Sequence, residues 1–254
     1  MKTEILYEDN SILVIRKPAG LAVQSAGIGQ ADVVSELKSH LAKLPGAGRP
    51  GKGEPYLGIV HRLDQPVEGL LVFAKDKKAA AALSKQLAEG ALNKQYYAVL
   101  CGYPDCPEGD LVDYLRKEGN VAVAVTGREQ EFADAKIAAL HYRILEEIND
   151  PSPLALADVT IGTGRFHQIR VQFAHAGFPL LGDTKYGMAA RKEAMPAQKY
   201  RGVALCAYSL ELVHPISGKK MGFRVVPKNP AFAGFAMEEL KKLTENETGI
   251  SKRG

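Results

Sequence analysis

Residues 56–74, YLGIVHRLDQPVEGLLVFA, set a polar loop between two apolar runs. Runs of this length bounded by turn residues read as buried strands, here over 56–60 and 69–74. The stretch between them, 61–68, is richer in ionisable groups than a connection requires. Working toward the N-terminus, 4–8 and 11–16 are β-type runs separated by Asp9-Asn10, the chemistry of a hairpin turn, and Lys17-Pro18-Ala19-Gly20 breaks the second. Over 31–44, Val33, Val34, Leu37, Leu41 and Leu44 recur at helical spacing, with Asp32 as N-cap and Pro45-Gly46 as the stop. Toward the C-terminus a helix is expected over 76–89, closed by Gly90. Strand-like runs follow at 95–101, 121–125, 137–145, 154–161, 203–213 and 221–226. Helices are expected at 166–176, closed by Gly177, and at 234–243. Strands outnumber helices and the two do not alternate, which argues against a doubly wound parallel sheet. The expectation is one α+β domain over 1–243, built on a large mixed, mostly antiparallel sheet flanked by helices, with a polar, flexible tail at 244–254.

Composition excludes the non-globular classes. The chain has 254 residues, 46% hydrophobic and 24% charged, with no repeat and no low-complexity segment. Its three cysteines, Cys101, Cys106 and Cys206, are too few and too scattered for a disulfide framework, and six histidines make no zinc spacing, so no metal is expected. The opening MKTEILYEDN lacks an apolar signal core, and no apolar run approaches a membrane span, so a cytoplasmic protein away from membranes is expected. A net charge of +4 and a pI near 8.8 lean toward a polyanionic partner without requiring one. Basic residues gather at 49–52, 75–78 and 191–201, each readable singly as a solvated face.

Two segments carry the chemistry. Residues 46–53, GAGRPGKG, imitate the glycine spacing of a phosphate loop but put Gly53 where Mg²⁺ ligation needs Ser or Thr, and they follow a helix instead of a strand, so they read as a surface loop. The first functional segment is the loop His61-Arg62-Leu63-Asp64-Gln65-Pro66-Val67-Glu68, held between rigid strands. The second is Gly164-Arg165-Phe166-His167-Gln168-Ile169-Arg170, followed by Gly177-Phe178-Pro179-Leu180-Leu181-Gly182-Asp183-Thr184-Lys185-Tyr186-Gly187. It crowds polar and cationic groups at a helix N-terminus, whose free N–H groups favour anions.

These segments resemble the RluA-type family of RNA pseudouridine synthases. Its hallmarks are an HRLD loop followed by a glycine and an apolar strand, and a GR-x-HQ-[IL]-R segment followed by G-x-P-[IL]-x-GD-x-x-YG. The likeness extends to Ile12 through Gly20, to Lys94-Gln95-Tyr96 and to His214-Pro215, and so covers nearly the whole chain.

The resemblance implies isomerisation of uridine to pseudouridine in structured RNA, tRNA or ribosomal RNA; the bonds broken and made are similar in strength, so no cofactor is expected, and the self-contained basic domain suggests a monomer. Asp64 matches the catalytic carboxylate, which acts either by attacking the anomeric carbon of the sugar or by assisting glycal formation. Arg170 matches the arginine that pairs with that aspartate, and Tyr96 the tyrosine that lies against the target base. Arg62 matches the residue that helps displace the nucleotide from its stack. Arg165, His167, Gln168 and Lys185 are the further candidates for RNA contact, while His61 and His167 read as structural hydrogen-bonding residues of their loops.

The chain departs from the family at several positions. Val67-Glu68 replace a common Thr-Ser, placing a carboxylate near the expected RNA surface. Cys206 stands where histidine is frequent and Leu140-His141 where threonine is common, read together as core adjustments. The catalytic segment opens the chain, so the small N-terminal RNA-binding module of many relatives is expected to be absent. Two other functions fit the same residues less well. A non-catalytic RNA-binding or RNA-folding protein has no need of Asp64, and a glycoside hydrolase needs a second carboxylate that only Glu68 or Asp183 could supply.

Overall fold

The computed structural model describes residues 1–25, 27, 29–44, 54–126, 134–149, 152–187 and 202–237. In chain order its elements are β1 (Glu4–Glu8), β2 (Ile12–Lys17), α1 (Val33–Ala42), β3 (Gly58–Ile59), β4 (Glu68–Ala74), α2 (Lys77–Ala88), β5 (Asn93–Cys101), β6 (Glu108–Glu118) and β7 (Val121–Val125). There follow β8 (Lys136–Asn149), β9 (Pro153–Ile161), α3 (Gln168–His175), β10 (Leu205–Val213), β11 (Lys220–Arg224) and a 3₁₀ turn at Pro230–Phe232. The α+β class and the predominance of antiparallel strands are as the sequence indicated.

These elements form two compact units, one of residues 1–94 with 207–226 and one of 95–206 with 227 onward. In the first, the strand order is β1-β2-β4-β10, with β11 on β10 and β3 on β4. β2 and β4 are buried along their whole length, which explains their unbroken apolar sequences ILVI and LLVFA. Leu13, Ile15, Leu71 and Phe73 are wholly inaccessible, each fully buried side chain being worth roughly 1.5–3 kcal/mol. The hairpin joining β1 to β2 is fixed by Asp9, whose Oδ1 accepts from the amides of Ser11 (2.7 Å) and Ile12 (2.8 Å). Asp32 caps α1 by accepting from Ser35 N, and Asp76 caps α2 by accepting from Ala79 N. Gly69 has φ +129°, and a Cβ there would sit 2.5 Å from the amide nitrogen of Ala207, so only glycine lets β4 lie this close to β10.

The second unit has the order β5-β9-β8-β6-β7, each pairing antiparallel. α3 packs on β6 and β7. Beneath it lies a small apolar cluster of Leu115, Ala122, Ala138 and Val171. α3 is short of apolar side chains because polar ones anchor it: Gln172, wholly buried, donates to the carbonyl oxygens of Leu111 (3.0 Å) and Ala138 (3.2 Å) and to Asp113 Oδ2 (2.9 Å).

Several expectations change. β6 was not foreseen, because its alternation is inverted: Val112 and Tyr114 face solvent, while Asp113 accepts from Gln172 and pairs with His175 of α3. The strand expected at 56–60 is reduced to Gly58–Ile59. α3 begins at Gln168, not at 166, because His167 takes a left-handed conformation (φ 54°). No helix forms over 234–237, which follow the 3₁₀ turn capped by Asn229; the rest of that expected helix, at 238–243, lies outside the described residues. So do the phosphate-loop imitation at 46–53, the Pro45-Gly46 stop, the basic stretches at 49–52 and 191–201, and the tail at 244–254. Leu140 and Cys206 are buried as core residues, but His141 is not: it is exposed and paired with Asp110 (2.9 Å) and Glu108 (3.2 Å).

Candidate active site

The loop between β3 and β4 is built from backbone contacts. The carbonyl of Asp64 accepts from Val67 N (3.1 Å), closing a tight turn, and that of Gln65 accepts from Gly20 N (2.8 Å). The Gln65 side chain returns a bond from Nε2 to Gly20 O (3.2 Å). Beneath these contacts lies Lys17, fully inaccessible, whose Nζ donates to the carbonyls of Pro18 (3.0 Å), Leu21 (2.8 Å) and Gln65 (3.1 Å). The loop thus rests on a buried amine at the end of β2. Burial pulls the Lys17 pKa down to about 7, against the charges of Asp64 and Glu68, which hold it up. Sequence reasoning registered Lys17 only as a strand break; the signal was a lysine at the end of an otherwise apolar buried strand.

Asp64 is half-buried and Arg62 is exposed beside it. His61 is buried, and its Nε2 accepts from Val72 N (3.2 Å), which requires the neutral ring. Burial, then the charge of Lys94, depresses its pKa to about 3. At neutral pH His61 is therefore an acceptor that fixes the first turn of the loop. The expectation for Glu68 is corrected: it is only 3% exposed, its Oε2 lies 3.5 Å from Arg16 Nη2, and Arg16 also donates to Val226 O (2.6 Å). The extra carboxylate faces the interior with a cation beside it.

In the second unit the N-terminus of α3 and the loop 182–187 converge. Arg170 and Asp183, 4% and 1% exposed, form a two-pronged ion pair: Nε donates to Oδ2 (2.7 Å) and Nη2 to Oδ1 (2.8 Å). Asp183 Oδ1 also accepts from the amides of Lys185 (3.0 Å) and Tyr186 (3.2 Å), shaping that loop around the arginine. The Tyr186 ring lies 5.2 Å from the guanidinium carbon, and its hydroxyl meets His167 Nδ1 (2.7 Å) and accepts from Ala122 N (2.8 Å). Sequence reasoning missed Asp183 and Tyr186 as the frame of Arg170. Their signal was the GD-x-x-YG spacing, which puts a carboxylate and a ring on one short loop.

The remaining candidates fall into two sets. Gln168 is 4% exposed and its amide is engaged internally, accepting from Thr163 Oγ1 (2.8 Å) and Arg165 N (3.0 Å) and donating to Ala139 O (3.0 Å). It holds the turn that presents its neighbours. Arg165 and Lys185 are exposed, anchored through Nε to Ile137 O (2.9 Å) and through Nζ to Asn120 O (2.7 Å). His167 is half-buried against Tyr186. Tyr96 sits on β5 opposite Val159, 5% exposed. The second unit therefore brings Arg165, His167, Gln168, Arg170 and Lys185 to one end of α3, and the first carries Arg62 and Asp64 on one loop. Among the described residues no group of three His, Cys, Asp or Glu could hold a metal ion, and no helix is long and apolar enough to cross a membrane.

Known proteins are similar to this chain in sequence and in fold. Residues 11–175 match the family model described as RNA pseudouridylate synthase. The chain is 37% identical over 227 residues to the ribosomal large subunit pseudouridine synthase D of Zymomonas mobilis, covering 87% of this chain and 68% of that one. It is 35% identical over 231 residues to the protein of the same name from Pseudomonas aeruginosa, covering 87% and 67%. It thus spans about two thirds of the length of these relatives. Among solved structures, the human RNA pseudouridylate synthase domain containing 4 superposes with a TM-score of 0.69 at 25% identity, over 89% of each chain. With the HRLD loop seated on Lys17 and the GR-x-HQ-I-R helix locked to the GD-x-x-YG loop, this agreement of motif, sequence and fold carries one conclusion: the chain belongs to the RNA pseudouridylate synthase family.

Proposed function

We propose that this protein isomerises a specific uridine in large-subunit ribosomal RNA, with Asp64 as the reacting carboxylate. The N1–C1′ bond of the nucleotide breaks, the uracil turns, and a C5–C1′ bond forms; the proton displaced from C5 is balanced by the one gained at N1. No atoms enter or leave, so neither an energy source nor a redox partner is needed. The observation that carries this reading is the setting of Asp64: a half-buried carboxylate on a turn fixed by Lys17 and Gly20, between β3 and the wholly buried β4. A reaction at the anomeric carbon needs an anion held in one place with restricted access to water that could intercept the intermediate.

The other residues take the roles that the family resemblance implies. Arg170 serves as the cationic partner of Asp64. Tyr96 lies against the displaced uracil, and Arg62, exposed beside the reacting group, fills the gap the base leaves and contacts phosphate. Arg165 and Lys185 are placed for phosphates, with His167 and Gln168 positioning them. The names of the relatives in Zymomonas and Pseudomonas favour ribosomal RNA over tRNA as substrate.

Tritium release from RNA labelled at C5 of uridine tests the reading, with unmodified large-subunit ribosomal RNA and tRNA as separate substrates. Wild type is expected to release tritium from the ribosomal RNA and Asp64→Ala to release none while remaining folded. Release by the variant would remove Asp64 from the reaction. RNA binding without release from either substrate would leave a binding protein on this scaffold.

A further inference from the structure

Phe166 is the one residue of the GRFHQIR segment with a large apolar side chain open to solvent, at 40% exposure. A single exposed aromatic is unremarkable. This one is held in a defined orientation. Its ring stacks on that of His167, with centroids 3.7 Å apart and planes 22° from parallel. His167 is in turn fixed by its Nδ1 contact with Tyr186 Oη (2.7 Å), a hydroxyl already bound to Ala122 N (2.8 Å). The stack forms because His167 has φ 54°, a left-handed conformation that costs a non-glycine residue about 1 kcal/mol or more. A ring exposed for want of cover needs none of this support.

The surroundings indicate the chemistry of the partner. Lys117, from the hairpin of β6 and β7, places Nζ 5.0 Å from the Phe166 centroid. Strand alternation puts Lys117 on the same side of β6 as the buried Leu115, toward α3. Arg165 precedes the ring, and Lys185 is tied to the same hairpin through Asn120 O. The acidic residue nearest Lys117 on that hairpin, Glu118, is paired with Arg116 (2.7 Å), while Asp113 faces His175 and Glu108 and Asp110 face His141. A flat aromatic surface with Lys117 over its ring and Arg165 beside it in the chain matches an unstacked nucleobase flanked by phosphates.

We propose that Phe166 is a stacking platform for an unpaired base of the bound RNA, distinct from the target uridine, with Lys117 moving from the ring to the adjoining phosphate. This rests on the reading that the chain acts on RNA. It adds a recognition point that belongs to binding and not to the chemical step.

The chain contains no tryptophan, so Phe166→Trp introduces a single fluorescent reporter where the base would stack. Titration with unmodified large-subunit ribosomal RNA transcripts should quench its emission about twofold or more, at RNA concentrations matching the KM for tritium release by the same variant. Phe166→Leu keeps the apolar bulk and removes the π face; it should raise KM roughly five- to tenfold, the size expected of one base stacked on a ring, with the loss falling on KM and not on kcat. Tritium release by the Trp variant without quenching, or a wild-type KM for the Leu variant, overturns the platform and leaves the isomerase reading standing. Quenching without tritium release by wild type keeps the platform and overturns the isomerase reading. Failure of the protein to bind RNA removes both.

Discussion

Truncating Asp183 to alanine removes from the interior the carboxylate that accepts two bonds from the guanidinium of Arg170. Both side chains are almost wholly inaccessible and share two short bonds, so the variant keeps a buried cation and loses the carboxylate that accepts both of them. Breaking one partner of such a pair costs about 3–5 kcal/mol, a large share of the ~5–15 kcal/mol by which domains are stable. For a chain of this size that lowers the melting temperature by roughly 6–20 °C. Thermal and urea unfolding of Asp183→Ala beside wild type give the number directly. The double variant Arg170→Met with Asp183→Leu separates charge from packing. It should recover stability to within about 2 kcal/mol of wild type, because apolar pairs of similar volume replace buried ion pairs at little cost. The deficit that remains reflects the lost bonds to the amides of Lys185 and Tyr186. Its tritium release should stay absent, since the proposed partner of Asp64 has gone. A loss below about 1 kcal/mol for Asp183→Ala, or a double variant no more stable than the single, would refute the reasoning.

Gly69→Ala should destabilise by about 4 kcal/mol, the sum of a strained φ and a Cβ pressed into the backbone of Ala207; Gly222→Ala, which meets nothing nearer than Glu211 Cγ at 4.0 Å, is the matched control. Equal urea midpoints for the two would show that β4 and β10 can part at this point. Lys17 links stability to pH: its pKa is about 7 in the fold against 10.5 for the free side chain, so between those values the unfolded chain binds more protons and stability rises with pH. The slope is at most ~1.4 kcal/mol per pH unit. Urea unfolding at pH 7 and 9 should show wild type gaining on Lys17→Met over that interval, and parallel profiles would disprove the assignment.

The legible parts of this structure are those where local chemistry and tertiary placement agree. The unbroken apolar sequences of β2 and β4 mean burial on both faces, and the aspartates at 32 and 76 cap helices wherever those helices pack. β6 was illegible because its inward face carries Asp113, a residue that makes sense only once Gln172 and His175 are brought opposite it. The start of α3 was misplaced because nothing local to His167 announces its positive φ, and the Tyr186 hydroxyl that meets its ring lies nineteen residues further along the chain. In the candidate site, the HRLD and GR-x-HQ segments identified the reactive groups by resemblance, but not what holds them. Asp183 lies thirteen residues beyond Arg170 and Lys17 forty-eight before Gln65, separations at which side-chain partners are set by loop conformation.

The buried partnership of Arg16 and Glu68 orders the history of this loop. A guanidinium at position 16 has the carbonyl of Val226 to bond at 2.6 Å whether or not an acid faces it, so arginine can arrive first at tolerable cost. Glutamate at 68 arriving first would be an anion sealed in the interior without that cation. The first route is therefore the less costly of the two. The two positions are expected to be epistatic, and a loop transplanted between relatives should travel with the residue at 16 so that its buried carboxylate keeps this cation.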